Sequence, residues 1–360
     1  MKAGMQPSQR RRPGRQAVRL RAAFATAMVV AAALVAVDTV QWFRLQRMMD
    51  RRLAAFVQDA SAAGWRFSAQ AGARSGWPLA ATLTLRRPSL RREASGTARA
   101  PVRGPAWSGD AIALSLSLWS PSRATVLALG TQSLSLTPDA EPVAPLRFWG
   151  ARIALLPLPD DGARNGGIAL EADALHVAPP GAGPDDVLQA AAADARLHWS
   201  PESADLFLAL RDVVLPMARG RTQAPIIQHV RLDMQLDKAR AGTATWASVL
   251  PEPGATITIN DAGMTWDGNN AVLSGRAVLQ PDGALDGRLD VQVDDADRML
   301  SQMHRAGLLG QGAAIAARAV AGLVADASAA PSLHVALQLR QGVLALGEIP
   351  LLRLPPLTTR

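Results

Sequence analysis

From Gly64 onward the sequence alternates with a period of two, and this restricts the possible fold more than any other feature. Ile112, Leu114, Leu116 and Leu118 alternate with Ala113, Ser115 and Ser117, which puts aliphatic side chains on one face of a strand and small ones on the other. Leu83 and Leu85 alternate with Thr82 and Thr84, and Leu134 and Leu136 with Ser133 and Ser135. Leu232, Met234 and Leu236 alternate with Arg231, Asp233, Gln235 and Asp237. Further on, Ile257 and Ile259 alternate with Thr256 and Thr258, and Leu289, Val291 and Val293 with Arg288, Asp290, Gln292 and Asp294. Leu333, Val335, Leu337 and Leu339 alternate with His334 and Gln338. Asp267-Gly268 and Pro281-Asp282-Gly283 supply turns between such runs, so neighbouring strands are expected to pair as antiparallel hairpins. The fold class this predicts is α+β and mainly β: a large curved antiparallel sheet of many amphipathic strands with a few covering helices.

The body, 64–360, divides by pattern into a β-rich first half (64–178), a linker and short helix (179–195) and a β-rich second half (196–360). Pro/Gly-rich sequence from Pro179 leads to Pro184-Asp185-Asp186, acids suited to a helix N-terminus, and predicts a helix from Pro184 to Ala195. A second helical region near 295–325 is broken by Gly307 and Gly310 into two short helices, one showing Met299, Leu300 and Met303 and the other Ile315, Ala319, Val320, Leu323 and Val324. These helices are expected to cover an apolar face of the sheet, since an α+β domain needs such cover.

Charge is concentrated at the other end. Residues 1–60 hold 11 Lys and Arg against Asp38, Asp50 and Asp59, which accounts for the whole formal net charge of +8 and leaves the body neutral. That distribution argues against a nucleic-acid-binding body. A basic tail (1–21) containing Arg10, Arg11, Arg12, Arg15, Arg19 and Arg21 precedes an uncharged Ala/Val-rich run from Ala22 to Val37. Thr39, Val40, Trp42 and Phe43 extend it into an interfacial aromatic belt, so 22–40 reads as a transmembrane anchor. Ala31-Ala32-Ala33 also fits a cleavage site, but apolar sequence continues beyond it, which favours an uncleaved anchor. The basic residues before the run outnumber those closely after it, 7 to 4, which orients the N-terminus to the cytoplasm and the body to the periplasm of a bacterial inner membrane. Residues 41–63 show apolar positions at helical spacing, with Arg44, Arg47, Arg51 and Arg52 interleaved, and predict a juxtamembrane helix that lies on headgroups or packs on the body.

Motifs that carry chemistry are missing. No Gly-x-Ser-x-Gly, His-Glu-x-x-His, Ser-x-x-Lys or phosphate-binding Gly-x-x-x-x-Gly-Lys occurs, and without cysteine there is no thiolate nucleophile, disulfide or Cys-ligated metal. His176, His198, His229, His304 and His334 stand apart from one another and from carboxylates at ligand spacing. Gly310-Gln311-Gly312 lacks the third glycine of a dinucleotide fingerprint, and Asp294, Asp295 and Asp297 suit a helix N-terminus better than a calcium loop. The expectation is a protein that is not an enzyme and uses no cofactor or metal.

Gly64-Trp65, Ser75-Gly76-Trp77-Pro78-Leu79, the stretch 263–293 containing Trp266, Ser274-Gly275 and Asp286-Gly287-Arg288-Leu289, and the ending Gly342 to Pro350 followed by Pro355-Pro356-Leu357 resemble the bacterial domain of unknown function 2125 family over nearly the whole body. The resemblance implies an exported, membrane-anchored protein and carries no catalytic residues with it. In architecture the anchor and strand series also look like AsmA-like envelope proteins, whose sheets form greasy grooves. Two functions are compatible with these features. In one, the body binds or shuttles lipid along an apolar sheet face, with Arg86, Arg87, Arg91 and Arg92 beside headgroup phosphates. In the other, it is an assembly module whose sheet edges bind an envelope protein.

Overall fold

The computed structural model describes residues 14–92, 106–135, 145–157, 166–183, 186–200, 202–216, 224–239, 251–306 and 332–354. The chain opens with helix α1 (Gly14–Ala62), about 73 Å long at 1.5 Å per residue. The expected anchor and juxtamembrane helix are therefore one unbroken element. From Ala27 onward α1 is long and apolar enough to cross a membrane. Residues 27–37 are exposed throughout, whereas Leu45, Gln46 and Met49 are buried, so from Ala27 onward contact with the body begins past residue 37. Gly64 ends the helix at φ 77°, its N–H donating to the Ser61 carbonyl at 3.0 Å, and turns the chain back on itself.

Among the described residues sixteen strands form one antiparallel sheet. They are β1 (Trp65–Ser75), β2 (Ala80–Arg92), β3 (Ala106–Ser117), β4 (Ser120–Ser135), β5 (Leu146–Trp149), β6 (Arg152–Pro157), β7 (Gly166–Ala178) and β8 (Leu188–Trp199). They continue with β9 (Ser203–Val214), β10 (Ile226–Ala239), β11 (Pro251–Trp266), β12 (Asn269–Leu279) and β13 (Leu285–Val293). After helix α2 (Ala296–Arg305) come β14 (Leu333–Arg340), β15 (Val343–Leu346) and β16 (Ile349–Arg353). The order is a meander in which, apart from β5 and β6, each strand pairs with its neighbours in sequence. β5 and β6 share one place between β4 and β7, and their ladder to β4 slips by one residue at Gly150-Ala151. The hairpin signals are confirmed: Asp267 and Gly268 have φ 51° and 76°, as a type I′ turn requires, and Gln341 and Gly342 repeat the pattern at 50° and 73°.

A crease crosses the sheet from β2 to β9. Arg87, Gly130, Ala174 and Asp212, on β2, β4, β7 and β9, have φ 48°, 72°, 48° and 48°. At that level the alternation changes phase: Leu83 and Leu85 give way to Pro88 and Leu90, and Leu210 to Val213. Such single-residue insertions re-aim side chains without breaking the ladder.

The helix expected from Pro184 to Ala195 is absent; Leu188–Trp199 is strand β8, paired with β7 on one side and β9 on the other. Alanine's helical preference is weak beside two complete ladders, and Ala190 and Ala193 fit where the neighbouring strands leave little depth, at 2% and 6% exposure. Asp186 caps a turn instead of a helix, accepting from the Gly183 N–H at 3.1 Å. The β7–β8 ladder joins the strands on either side of 179–187, so the sheet runs on past the expected linker. Of the two helices expected near 295–325, the first is α2, and the second lies outside the described residues.

Candidate functional site

Registers across the sheet bring aliphatic side chains into one row. Leu83, Leu114, Val126, Leu155, Leu170 and Ala195 stand in successive pairs across β2, β3, β4, β6, β7 and β8. The row continues through Leu208, Leu232, Ala262, Leu273, Val291 and Val335 on β9 to β14. Twelve strands at about 4.8 Å spacing make an apolar row roughly 50 Å long. A parallel row runs Leu197, Leu206, Met234, Ile259, Gly275, Leu289 and Leu337. The opposite face is polar. It carries the exposed pairs Arg196 with Asp194 (3.1 Å), Arg231 with Asp261 (2.7 Å) and Arg288 with Asp290 (3.3 Å), and the Arg196 guanidinium over Phe207. Pairs of this exposure add little stability, so cohesion comes from the apolar side.

Two helices cover parts of that face. α1 lays Leu45 and Met49, with Trp42, Met48 and Leu53, onto Ala81, Leu83, Leu85, Ile112 and Leu116. Arg74 fastens this contact, bonding Asp50 at 3.0 Å and the Gln46 side-chain oxygen at 3.3 Å. At the ends of the strands beyond the crease, α2 lays Met299, Met303 and Ala306 against Ala190, Val213, Ile227 and Trp266. Its N-cap is Asp295, which accepts from the Arg298 N–H at 2.9 Å, as the acidic run suggested. Polar pins hold it in place. The buried Asn269 side chain donates to the Asp295 carbonyl (2.7 Å) and accepts from the Asp295 N–H (3.0 Å). Gln302 and Arg298 reach the Asp267 carboxylate, both at 3.2 Å. Between the two helices, Leu206, Leu208, Leu232, Met234, Ile259, Ala262, Leu273, Val291 and Val335 are only half-buried.

The four arginines singled out from the sequence lie on β2 beyond the crease and at its edge, all exposed. Alternation divides them. Leu90 pairs with Phe67 and Trp107, which pack with α1, so Arg91 projects from the polar face and Arg92 from the α1 side. Arg86 follows Leu85 and also projects from the polar face, while Arg87 occupies the crease. Among the described residues none of the four pairs with a carboxylate. The histidines remain apart: His176 stacks on Trp149 with ring centroids 5.4 Å apart, and His334 meets the Ser332 hydroxyl at 3.3 Å. No group of three His, Asp or Glu that could hold a metal occurs among the described residues. Sequence reasoning missed the Asn269 and Gln302 pins and the exposure of Trp77, Leu79 and Trp119 at two neighbouring hairpin tips. For the tips, the signal was available in apolar residues placed within turn sequence.

Fold and face together define a class: an open β-meander, apolar on one side, carrying an apolar N-terminal helix. The sequence model of a bacterial family described as "Uncharacterized protein conserved in bacteria (DUF2125)" matches residues 42–355, and the chain belongs to that family. No curated protein and no solved structure matches the chain.

Proposed function

We propose that this protein is a membrane-anchored lipid-binding protein of the bacterial envelope. Its α1 helix spans the inner membrane, its body lies in the periplasm, and the apolar sheet face holds or shuttles acyl chains without chemical turnover. The observation that carries this reading is the aliphatic row through twelve strands, half-buried between the patches that α1 and α2 cover. A closed core would bury such a row; a greasy surface left half-open favours a ligand with methylenes to cover it. Each methylene covered contributes about 0.8 kcal/mol, so eight of them supply about 6 kcal/mol, enough for reversible holding. The test is photocrosslinking of the full chain in cells, with a benzophenone amino acid at Leu208 or Leu232 on the apolar face and at Ala209 or Asp233 on the polar face. Lipid adducts at the first pair and not the second are expected; protein adducts alone, or none, at Leu208 and Leu232 overturn the reading.

A second reading rests on β16, the last strand in the order, whose Ile349 and Leu351 are 53% and 52% exposed. An apolar edge of this kind suits addition of a strand from an envelope protein partner. Protein adducts from a crosslinker at Leu351, with none at Leu208, would favour it.

A further inference from the structure

We infer that the tips of the β1–β2 and β3–β4 hairpins are a second membrane contact, seating Trp77, Leu79 and Trp119 in the interface of the bilayer that α1 crosses, beside Trp42 and Phe43. The inference rests on α1 being a membrane anchor and deepens the lipid-binding reading, because it fixes which end of the apolar face meets the bilayer.

The level of the tips follows from the contacts between α1 and β1. The chain reverses at Gly64, so β1 retraces the helix towards its apolar segment. Phe67 meets Phe56, with ring centroids 5.6 Å apart, and seven residues later Arg74 meets Asp50 and Gln46. Seven residues of strand therefore correspond to six to ten of helix, and three more bring Trp77 level with the stretch of α1 from Trp42 to Arg47. Trp42 packs on the cluster that holds Ala81 and Leu116, residues within a few positions of the two tips. The tips are joined to each other: the Leu118 N–H donates to the Leu79 carbonyl at 3.0 Å.

Exposure supplies the second argument. Trp77, Leu79 and Trp119 are 51%, 58% and 80% exposed, and Phe43, next to Trp42 on α1, is 53% exposed. In water this grouping would leave large apolar area uncovered. In the headgroup region the Trp ring, apolar in body and polar at its N–H, has its favoured surroundings. One and four residues past Phe43 towards the body, Arg44 and Arg47 are exposed, which in this seating puts them within reach of the phosphates, the arrangement that anionic lipid attracts. The far ends of the strands carry α2, so in this seating the capped end of the apolar face points away from the bilayer and the uncapped end towards it.

The absence of native cysteine makes the test direct. Single cysteines are introduced into the full chain as Leu79→Cys, Trp119→Cys, Leu34→Cys in the anchor and Arg305→Cys on α2, and each is labelled with an environment-sensitive nitrobenzoxadiazole fluorophore. The chains are reconstituted in phosphatidylglycerol and phosphatidylethanolamine vesicles doped with lipids bearing a nitroxide at the headgroup or deep in the acyl chain. Labels at 79 and 119 are expected to lose most of their fluorescence to the headgroup nitroxide. The label at 34 should lose it to the deep one, and that at 305 to neither. If 79 and 119 behave like 305 while 34 is quenched, the anchor stands and the seating is refuted. If 34 is also unquenched, both fall. Quenching at 79 and 119 without quenching at 34 keeps the membrane contact and refutes the anchor.

Discussion

Gly275 and Gly287 sit on the two strands β12 and β13 where their backbones come close. A Cβ on Gly275, at φ 153°, would overlap the Arg288 carbonyl oxygen and the Leu289 backbone; one on Gly287 would overlap the Arg276 carbonyl oxygen and Ala277. Both obstacles are backbone and cannot swing aside, so Gly287→Val is expected to lower stability by about 2 kcal/mol, read as an earlier denaturation midpoint of the detergent-solubilised chain. Leu116, 1% exposed beneath α1, gives the complementary case: Leu116→Ala leaves a cavity and should cost about 3 kcal/mol in the same measurement. The glycines were visible in the sequence as punctuation, but their purpose was not, because steric overlap between strands is a property of the register. The arginine cluster on β2 was equally visible. Its division between two faces was not, because the phase change at Arg87 depends on a positive φ in a residue type that gives no sign of it.

At the scale of elements, strands read well wherever aliphatic and polar residues alternate, as in β3, β10, β13 and β14. For most of β8 the acids Asp185 and Asp186 point to a helix N-terminus, and alanine on both faces offers no alternation to oppose that expectation, so only the neighbours' hydrogen-bonding edges decide the matter. β9 was not singled out although Ala204, Leu206, Leu208 and Leu210 alternate there with Asp205, Phe207, Ala209 and Arg211. The N-terminus of α2 was legible from its acids, whereas its docking by Asn269 was not, since the two lie 26 residues apart. Removing that pin by Asn269→Ala leaves the Asp295 N–H unpaired and its carbonyl with the Met299 N–H alone, and should weaken α2 docking by about 1–2 kcal/mol. Hydrogen exchange should show faster turnover confined to α2 and the β11–β12 turn, with β2 and β3 unchanged. Charge reversal at Arg86 and Arg91, which project from the polar face, should leave lipid crosslinking at Leu208 unaltered.

For the whole molecule, the face and its helices divide the labour: α1 fixes one flank of the sheet, α2 closes the far strand ends, and the middle of the aliphatic row remains half-open. A double substitution there, Leu208→Gln with Leu232→Gln, should abolish lipid recovery while leaving the folding stability within about 1 kcal/mol, because neither side chain belongs to a buried cluster and no charge is introduced. The same change in a closed core would unfold the chain. The meander also bears on how such a protein is made. A strand that pairs with one already formed needs nothing still to come, so the sheet can be laid down in the order in which the chain is synthesised. Its length is then set by how many hairpins the chain contains, and a pair of strands added between two existing ones would lengthen the aliphatic track without redrawing the rest.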